Sequence, residues 1–546
     1  MPRLVLSIVL ASCIAALAAP RPAPSDDPPT GPPIRPERTG YEETSSHADV
    51  MAFLQAVTAS TPGMHLTRFG YSSEGRVLPL VVVGQVADAT PEAVLASGQT
   101  RVLLLANIHA GEVDGKEAML VLLRDLAAGR HAAWADSVVL LVAPIYNADG
   151  NERLHLERSG QLGPFGGMGE RATAQGFDLN RDWMKLDAPE AWSLIGLLRQ
   201  YDPHVAVDFH TTDGTYIGYH LTYSPPLHPH TWAPLVSYLR QGLLPAVTRA
   251  VRERSGWEYY YYGNLPPPYA GNLAWAGMDT TAGWYTFDYR ARYSNNYLGL
   301  RNRLGLLSES YSYATFADRI QASLLFAEEI VSFVHAHATA VRELTAQADA
   351  HSVAGEELTL LARHARSPEP VEILLGEVDA EPHPYSGGTV LHRREVRRPV
   401  RIYEYGTFEA TETVAAPRAY YLPAGLGRAA DLLAAHGIRC HALEAPATLA
   451  LERFRVDSTW VAEAPYEGHR QRTLFGAYES TTETLPAGTL VVPVDQPLGR
   501  LACYLLEPRS EDSLAAWNLL GDGVVVGGHY AIRRLPEDQA HRERQE

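Results

Sequence analysis

The stretch VLLLANIHAGE, residues 102–112, joins a run of apolar residues to His109 and to Glu112 three positions later. The uninterrupted apolar run predicts a buried strand, and His109 stands at its carboxyl end. In open α/β sheets, ligands bind beside the carboxyl ends of the strands. A histidine and a glutamate at this spacing can point at one zinc ion. The stretch therefore predicts a buried sheet with a metal site at its edge.

The spacing alone is weak evidence. The chain has 21 histidines and 63 acidic residues, so chance places several His-x-x-acid pairs in it. Further pairs of this kind are His392/Glu395, His441/Glu444 and His210/Asp213. His392 lies in a run of charged residues and His441 does not end a buried strand, so both pairs are interpreted as surface residues.

His210 provides the third ligand that a zinc site requires, because it ends a second apolar run, HVAVDFH, at residues 204–210. A single histidine at a strand end is more often structural. Two strand-end histidines and Glu112, however, form a His2Glu set that leaves the fourth tetrahedral position open to water, as hydrolytic zinc sites require. We therefore predict one zinc ion per catalytic domain, bound by His109, Glu112 and His210.

Residues 45–345 alternate between short apolar runs and longer segments of helical period. The runs lie at 78–83, 101–107, 137–143, 204–209 and 304–307, and the clearest helices at 116–128, 188–201, 232–253 and 314–345. This alternation predicts an α/β domain, with a mixed sheet that contains parallel pairs and is flanked by helices.

Residues 355–546 have a different pattern, with shorter β-like pieces and one βαβ-like stretch. In that stretch we predict a strand at Ala419–Leu422, a helix at 427–435 ended by Gly437, and a strand at 438–443. The pattern favours a C-terminal α+β accessory domain.

The N-terminus carries an export signal. Arg3 precedes an apolar stretch, and Ala-Leu-Ala at 16–18 has the small-x-small pattern of a cleavage site, so we predict a signal peptide at 1–18. The apolar stretch is too short to span a bilayer, and no transmembrane span is predicted. The predicted location is the periplasm or the medium. In an alternative interpretation, residues 10–13 form a lipobox and Cys13 anchors the protein to a membrane through a lipid.

Residues 19–44 are rich in proline and are predicted to form a linker. Cys440 and Cys503 are the cysteines left after export, and an oxidising compartment would allow them to pair. The net charge of -17 disfavours nucleic acid as a partner, because an acidic surface repels phosphates. At 546 residues, with 46% hydrophobic and 20% charged residues, the chain has the composition of a globular protein of several domains.

Between the two strand-end histidines lies GFDLNRDW, residues 176–183, and here the sequence resembles a known family. The matching elements are His109-x-x-Glu112, Asn147-Ala-Asp-Gly150, Arg171 separated by eight residues from Asn180-Arg181, His210, and Glu309 in LLSES. In this order they resemble the carboxypeptidase A-like zinc metallocarboxypeptidases, especially the carboxypeptidase E and N branch. The resemblance covers about residues 45–345.

The resemblance implies a role for each matching residue. His109, Glu112 and His210 bind zinc, Asp178 accepts a hydrogen bond that steadies His109, Asn180 and Arg181 hold the substrate's terminal carboxylate, Arg171 polarises the scissile carbonyl, and Glu309 is the general base. Elementary chemistry agrees, because a carboxylate is best held by the planar fork of an arginine and the attacking water needs a proton acceptor.

The family also carries a mobile tyrosine over its pocket, and Tyr285 in the WY pair is the candidate, with Tyr289 and Tyr293 as alternatives. Two features depart from the family pattern: Asp182 follows the Asn-Arg pair, and the glycine-rich turn after WY is missing. Candidates for the floor of the specificity pocket lie within residues 289–296.

The sequence therefore predicts an exported zinc metallocarboxypeptidase that acts on the C-termini of peptides or proteins. One alternative is a zinc amidase of the same fold that acts on acylated amino acids or cell-wall peptides. Another is an inactive peptide-binding protein, which is disfavoured because every position of the catalytic set is filled.

Overall fold

The structure is a computed structural model and describes residues 31–266, 283–521 and 524–537. The predicted signal peptide at 1–18, with Cys13, and the first part of the predicted linker at 19–44 lie outside the described residues.

The described helices and strands alternate through the first 350 residues, and strands dominate afterwards. The helices are α1 (Arg35–Arg38), α2 (His47–Ala59), α3 (Pro91–Ala96), α4 (Asp114–Ala127), α5 (Ala148–Asn151), α6 (Pro189–Tyr201), α7 (Ala233–Ser237), α8 (Leu244–Ser255), α9 (Ser294–Leu300), α10 (Phe316–Ala336), α11 (Ala338–Ala350), α12 (Gly427–His436) and α13 (Gly499–Leu506). The strands are β1 (Met64–Tyr71), β2 (Val77–Val83), β3 (Thr100–Ala106), β4 (Val138–Ala143), β5 (Val205–Thr212), β6 (Leu221–Ser224), β7 (Tyr259–Tyr261), β8 (Trp284–Tyr285), β9 (Leu304–Tyr311), β10 (Glu357–Ala365), β11 (Val371–Leu375), β12 (Val378–Pro382), β13 (Thr389–Arg393), β14 (Arg398–Ile402), β15 (Glu404–Tyr405), β16 (Thr407–Ala415), β17 (Ala419–Leu422), β18 (His441–Ala442), β19 (Ala447–Val461), β20 (Arg472–Leu485), β21 (Leu490–Pro493) and β22 (His529–Leu535).

The N-terminal sheet has, among the described residues, eight strands in the order β1-β2-β4-β3-β5-β9-β6-β7. Strands β4, β3, β5 and β9 are parallel neighbours. The pairs β1–β2, β2–β4 and β6–β9 are antiparallel, and β6–β7 is parallel. Every residue of β3, β4 and β5 is buried, because the central parallel strands are covered on both faces, which explains their continuous apolar runs. The predicted mixed α/β sheet with parallel pairs and flanking helices is confirmed.

Two predicted helices are each divided in the structure. Residues 232–253 form α7, a π-helical turn at Tyr238–Leu243 and α8, whose first turn contains a proline that cannot donate a backbone hydrogen bond. Residues 314–345 are divided between α10 and α11, which meet at 83° where His337 leaves helical geometry. Within the described ranges no single helix is long and apolar enough to cross a membrane, and only this bent pair passes by length and composition.

The C-terminal region contains a six-stranded sheet, over the described residues, in the order β18-β21-β17-β22-β19-β20. Strands β17 and β18 both pair antiparallel with β21, which lies between them, and α12 connects them. Gly437 ends α12 in the left-handed region at φ 85°, as the sequence indicates. The predicted strand at 438–443 is reduced to His441–Ala442. The extra β-rich region after the catalytic fold is confirmed.

The two regions share a core, because one cluster of buried apolar side chains extends from the N-terminal sheet into α12 and α13. The described residues also form shorter two-stranded pairs: β10–β16, β11–β14, β12–β13 and the parallel pair β8–β15. Cys440 is exposed and Cys503 is buried, and both thiols are free.

The part of the predicted linker that the structure describes is packed rather than free. Ile34 is buried, and Glu37 in α1 accepts two hydrogen bonds from Arg124 in α4, at 2.6 and 2.8 Å. An apolar side chain and a two-pronged ion pair therefore hold this segment on the catalytic domain.

Candidate active site

The carboxyl ends of three neighbouring strands carry the predicted catalytic residues. His109 and Glu112 lie in the segment between β3 and α4, and His210 lies in β5. Strand β5 is parallel to both β3 and β9, and Glu309 in β9 is in register with His210. The parallel arrangement therefore brings these side chains to one edge of the sheet.

His109, Glu112 and His210 converge on one point. The Glu112 carboxylate lies 3.0 Å from His109 Nδ1 through Oε1 and 3.0 Å from His210 Nδ1 through Oε2, and the two Nδ1 atoms are 3.2 Å apart. All three side chains are buried, and within the described ranges they form the one group of histidine, cysteine and acidic residues that can hold a metal ion. Two nitrogen donors and a carboxylate are the ligand set of hydrolytic zinc sites.

The second ring nitrogen of each histidine contacts a carboxylate. His109 Nε2 lies 3.0 Å from Asp178 Oδ1, and His210 Nε2 lies 2.8 Å from Asp208 Oδ2. When Nε2 donates to a carboxylate, Nδ1 is left with a free lone pair, and both Nδ1 atoms here face Glu112. Carboxylates in this position orient metal-binding histidines and strengthen their ligand character, so the residues fit a zinc ion.

Asp208 is not among the residues predicted from the sequence, although a signal for it exists. It lies two residues before His210 in β5, and side chains two apart in a strand project from the same face. Arg158 was also missed. Its Nη2 donates to Glu112 Oε1 at 2.6 Å, and no local sequence pattern indicates this contact.

Electrostatics give the carboxylates of the site different proton affinities. Burial opposes ionisation of Asp178, but the charge of His109 and the hydrogen bond with it hold the pKa of Asp178 well below its usual range. Burial raises the pKa of Glu309 to about 8; His210 opposes this shift and the Glu112 charge adds to it. Glu309 Oε2 is buried and has no hydrogen-bond partner among the described residues. Glu309 is therefore the carboxylate of the site most able to hold a proton near neutral pH.

Asn180 and Arg181 lie in a short 3-10 turn, Leu179–Arg181. Asp178 begins this turn by accepting a hydrogen bond from Asn180 N at 2.9 Å. Asn180 Oδ1 accepts from Ser294 N at 3.2 Å, and the Arg181 guanidinium stacks over the Tyr293 ring, 4.3 Å from its centroid. The turn is thereby fixed from two sides with its guanidinium beside an aromatic face.

Most of the predicted residues line one cavity of about 490 Å³. The predicted residues in its wall are His109, Glu112, Arg171, Asn180, Arg181, His210 and Glu309. Arg171 is half-exposed and donates from Nε to Asp178 Oδ2 at 2.9 Å. The geometry thus gathers the candidate metal ligands, three arginines (Arg158, Arg171 and Arg181) and the Glu309 carboxylate around one open space.

Tyr285 is not brought to this cavity. Strand β8 pairs with β15, and the Tyr285 ring stacks on Tyr405 with centroids 4.2 Å apart. Of the two alternatives, Tyr289 donates its hydroxyl proton to Glu511, whereas Tyr293 lines the cavity. The aromatic residue at the site in this structure is therefore Tyr293, with Tyr262 and Phe287 beside it.

Comparison with known proteins agrees with this geometry. Residues 50–213 match the Peptidase_M14 family model, zinc carboxypeptidase. The chain is 23% identical over 509 residues to carboxypeptidase 2 of Trichophyton rubrum, covering 88% of this chain and 85% of that one. It is also 23% identical over 516 residues to carboxypeptidase 2 of Trichophyton equinum, covering 88% and 85% of the two chains.

Among solved structures, the metallo-carboxypeptidase of Burkholderia cenocepacia is 19% identical, with a TM-score of 0.40 over 54% of this chain and 70% of that chain. The metallo-carboxypeptidase of Pseudomonas aeruginosa is 16% identical, with a TM-score of 0.39 over 56% and 71%. The family match over residues 50–213 and the curated relatives together support the predicted resemblance to the carboxypeptidase A-like zinc metallopeptidases.

Proposed function

We propose that this protein is an exported carboxypeptidase that hydrolyses the last peptide bond of its substrates, with Glu309 as the general base. The observation that carries the proposal is the arrangement of the cavity. Glu309 is in register with His210 across β5 and β9, and Arg181 lies in the wall of the same space. A proton acceptor, a metal-ligand set and a carboxylate-binding cation therefore line the one cavity in which a substrate would bind.

Zinc held by His109, Glu112 and His210 would supply Lewis-acid activation of a water molecule and of the scissile carbonyl. The protein's own contribution to proton transfer is Glu309. Its carboxylate is in register with His210, and its Oε2 is buried with no hydrogen-bond partner among the described residues, so it is placed to take a proton from the attacking water and deliver it to the departing amine.

Arg181 and Asn180 are suited to hold the terminal carboxylate of the substrate. The guanidinium is the planar partner that a carboxylate binds best, and its stacking on Tyr293 fixes its direction. Arg171 Nη1 lies 3.2 Å from His109 Nδ1. Its guanidinium is therefore placed to stabilise negative charge on the carbonyl oxygen beside the metal ligands. These contacts would place the last peptide bond, rather than an internal one, at Glu309.

Export is supported by the sequence of residues 1–18, with one cation, an apolar run and a small-x-small cleavage pattern. Identification of the mature N-terminus by mass spectrometry tests it. Cleavage after Ala18 would agree with the proposal, a lipid-modified Cys13 would indicate the anchored form, and an intact Met1 in exported fractions would contradict both.

The activity is tested with a peptide library in which each sequence is present as the free acid and as the C-terminal amide. We expect release of single C-terminal amino acids from the free acids, much slower cleavage of the amides, and loss of both reactions with a chelator. Release from acylated single amino acids or cell-wall peptides alone would instead support the amidase alternative. Internal cleavage at equal rates in both sets would refute the carboxypeptidase proposal.

A further inference from the structure

A hairpin of the C-terminal sheet contacts the loop beside the candidate active site. The segment between β19 and β20, residues 462–471, lies against the loop that carries Asp178, Asn180 and Arg181. Glu467 Oε2 accepts a hydrogen bond from the backbone N–H of Asp178 at 3.0 Å. The hairpin therefore contacts Asp178, whose carboxylate contacts His109 and which begins the turn that carries Arg181.

The hairpin tip is a tight turn with an unusual residue in it. Tyr466 and His469 exchange two backbone hydrogen bonds, at 2.8 and 3.0 Å, around Glu467 and Gly468. Both central residues have positive φ, 49° and 80°, as a type I′ turn requires. Asn-Gly and Asp-Gly are the preferred pairs in such turns, and a glutamate in the left-handed region is strained. Here the strained residue is the one whose carboxylate reaches Asp178.

Asp178 transmits this contact to two parts of the site. Its Oδ1 lies 3.0 Å from His109 Nε2 and also accepts from Asn180 N at 2.9 Å. Since the backbone of Asp178 is held by Glu467, the carboxylate that orients His109 and the turn that presents Arg181 share one external support.

The same hairpin is anchored beyond this turn as well. His469 Nε2 lies 2.7 Å from Asp187 Oδ2, so hairpin contacts lie on both sides of the Asn180-Arg181 pair. A second wall of the site is also held by the C-terminal region, because Arg292, close to Tyr293, donates to Asp512 at 2.8 Å. The loops around the cavity are thus braced from the C-terminal region at several points.

We propose that Glu467 is a positioning residue that fixes Asp178, and through it the metal ligand His109 and the carboxylate-binding turn of Arg181. This inference rests on the proposed function. The competing explanation is that the hairpin only holds the two regions of the fold together, in which case its loss changes stability but neither zinc affinity nor substrate binding.

Three variants separate these explanations. Glu467→Asn removes the long carboxylate and introduces a residue that type I′ turns favour, so the hairpin itself is retained. Glu467→Gln keeps an acceptor oxygen at the same reach. Glu463→Asn is the matched control, because Glu463 lies on the same hairpin, is exposed, and makes no hydrogen bond or ion pair among the described residues.

Each variant is compared with the wild type in zinc affinity by chelator competition, in KM and kcat on a free-acid peptide, and in Tm. We expect Glu467→Asn to weaken zinc binding about threefold to tenfold, somewhat less than loss of a direct partner of a metal ligand, and to raise KM more than it lowers kcat. We expect Glu467→Gln and Glu463→Asn to bind zinc within about twofold of the wild type, and Tm to be unchanged.

The proposal is overturned if Glu467→Asn matches Glu463→Asn in zinc affinity and KM, or if it lowers Tm alone. It is also overturned if Glu467→Gln loses as much as Glu467→Asn, because an acceptor oxygen is then not the cause. A wild type that binds zinc but leaves free-acid peptides intact would contradict the proposed function, and the zinc measurement would still decide the role of Glu467.

Discussion

Replacing Asp208 with asparagine tests how the metal site is held. Asp208 is buried, its Oδ2 lies 2.8 Å from His210 Nε2, and its Oδ1 has no hydrogen-bond partner among the described residues. The whole polar function of this carboxylate in the structure is therefore its contact with His210. Asparagine keeps the size and one acceptor oxygen but removes the charge.

The size of the effect follows from this single contact. A hydrogen bond to a charged group contributes about 1.5–3 kcal/mol, and a neutral one about 0.5–1.5 kcal/mol. Asp208→Asn is therefore expected to weaken the contact that orients His210 by about 1–1.5 kcal/mol. If that loss appears in metal binding, zinc binds roughly fivefold to twelvefold more weakly. Asp208→Ala leaves His210 without any acceptor and should weaken binding further, toward a hundredfold.

The assay is zinc competition against a chelator of known affinity, with circular dichroism to confirm folding. Asp213→Asn is the control, because Asp213 lines the same cavity and has no contact with either histidine among the described residues. Unchanged zinc affinity in folded Asp208→Asn would refute the argument that His210 binds through Nδ1 while Asp208 holds Nε2.

Two further predictions concern substrate turnover. Glu309→Gln should lower kcat by about 10²- to 10⁴-fold, because general acid–base transfer is worth that much, with zinc content and peptide binding retained; turnover near that of the wild type would place the base elsewhere. Arg181→Ala should raise KM for free-acid peptides strongly and have little effect on the slow cleavage of the amides, because it removes the charge-assisted contact with the terminal carboxylate. An equal loss on both substrates, measured by initial rates, would contradict that role.

Much of the candidate metal site could be predicted because its residues follow local rules. His109 and His210 end apolar runs, and parallel strands place their carboxyl ends together, so the position along each strand was enough. Asp208 could have been predicted in the same way, because side chains two residues apart in a strand project from the same face. The predicted sheet is confirmed for the same reason, because buried parallel strands have continuous apolar sequences.

Tyr285 shows where local rules end. The WY pair suggests a tyrosine over the pocket, but the position of this ring is set by β8 pairing with β15 and by stacking on Tyr405, 120 residues later in the chain. The linker is a similar case. A proline-rich composition indicates an extended segment, yet Glu37 finds Arg124 on α4 and is held there. Neither partner is visible in the sequence around the residue concerned.

The accessory region is the part whose contribution the sequence conceals most. The boundary near residue 355 predicted from composition suggests a separate unit, but α12 and α13 complete the core that the N-terminal sheet begins. A binding site works only if the loops that present its residues are held within a fraction of an ångström. Glu467, 289 residues from Asp178, provides one of these supports from a turn that its own side chain does not favour. One hydrogen bond thus links the strained turn at Glu467 to the loop of the candidate site. Neither segment of the sequence predicts this contact alone.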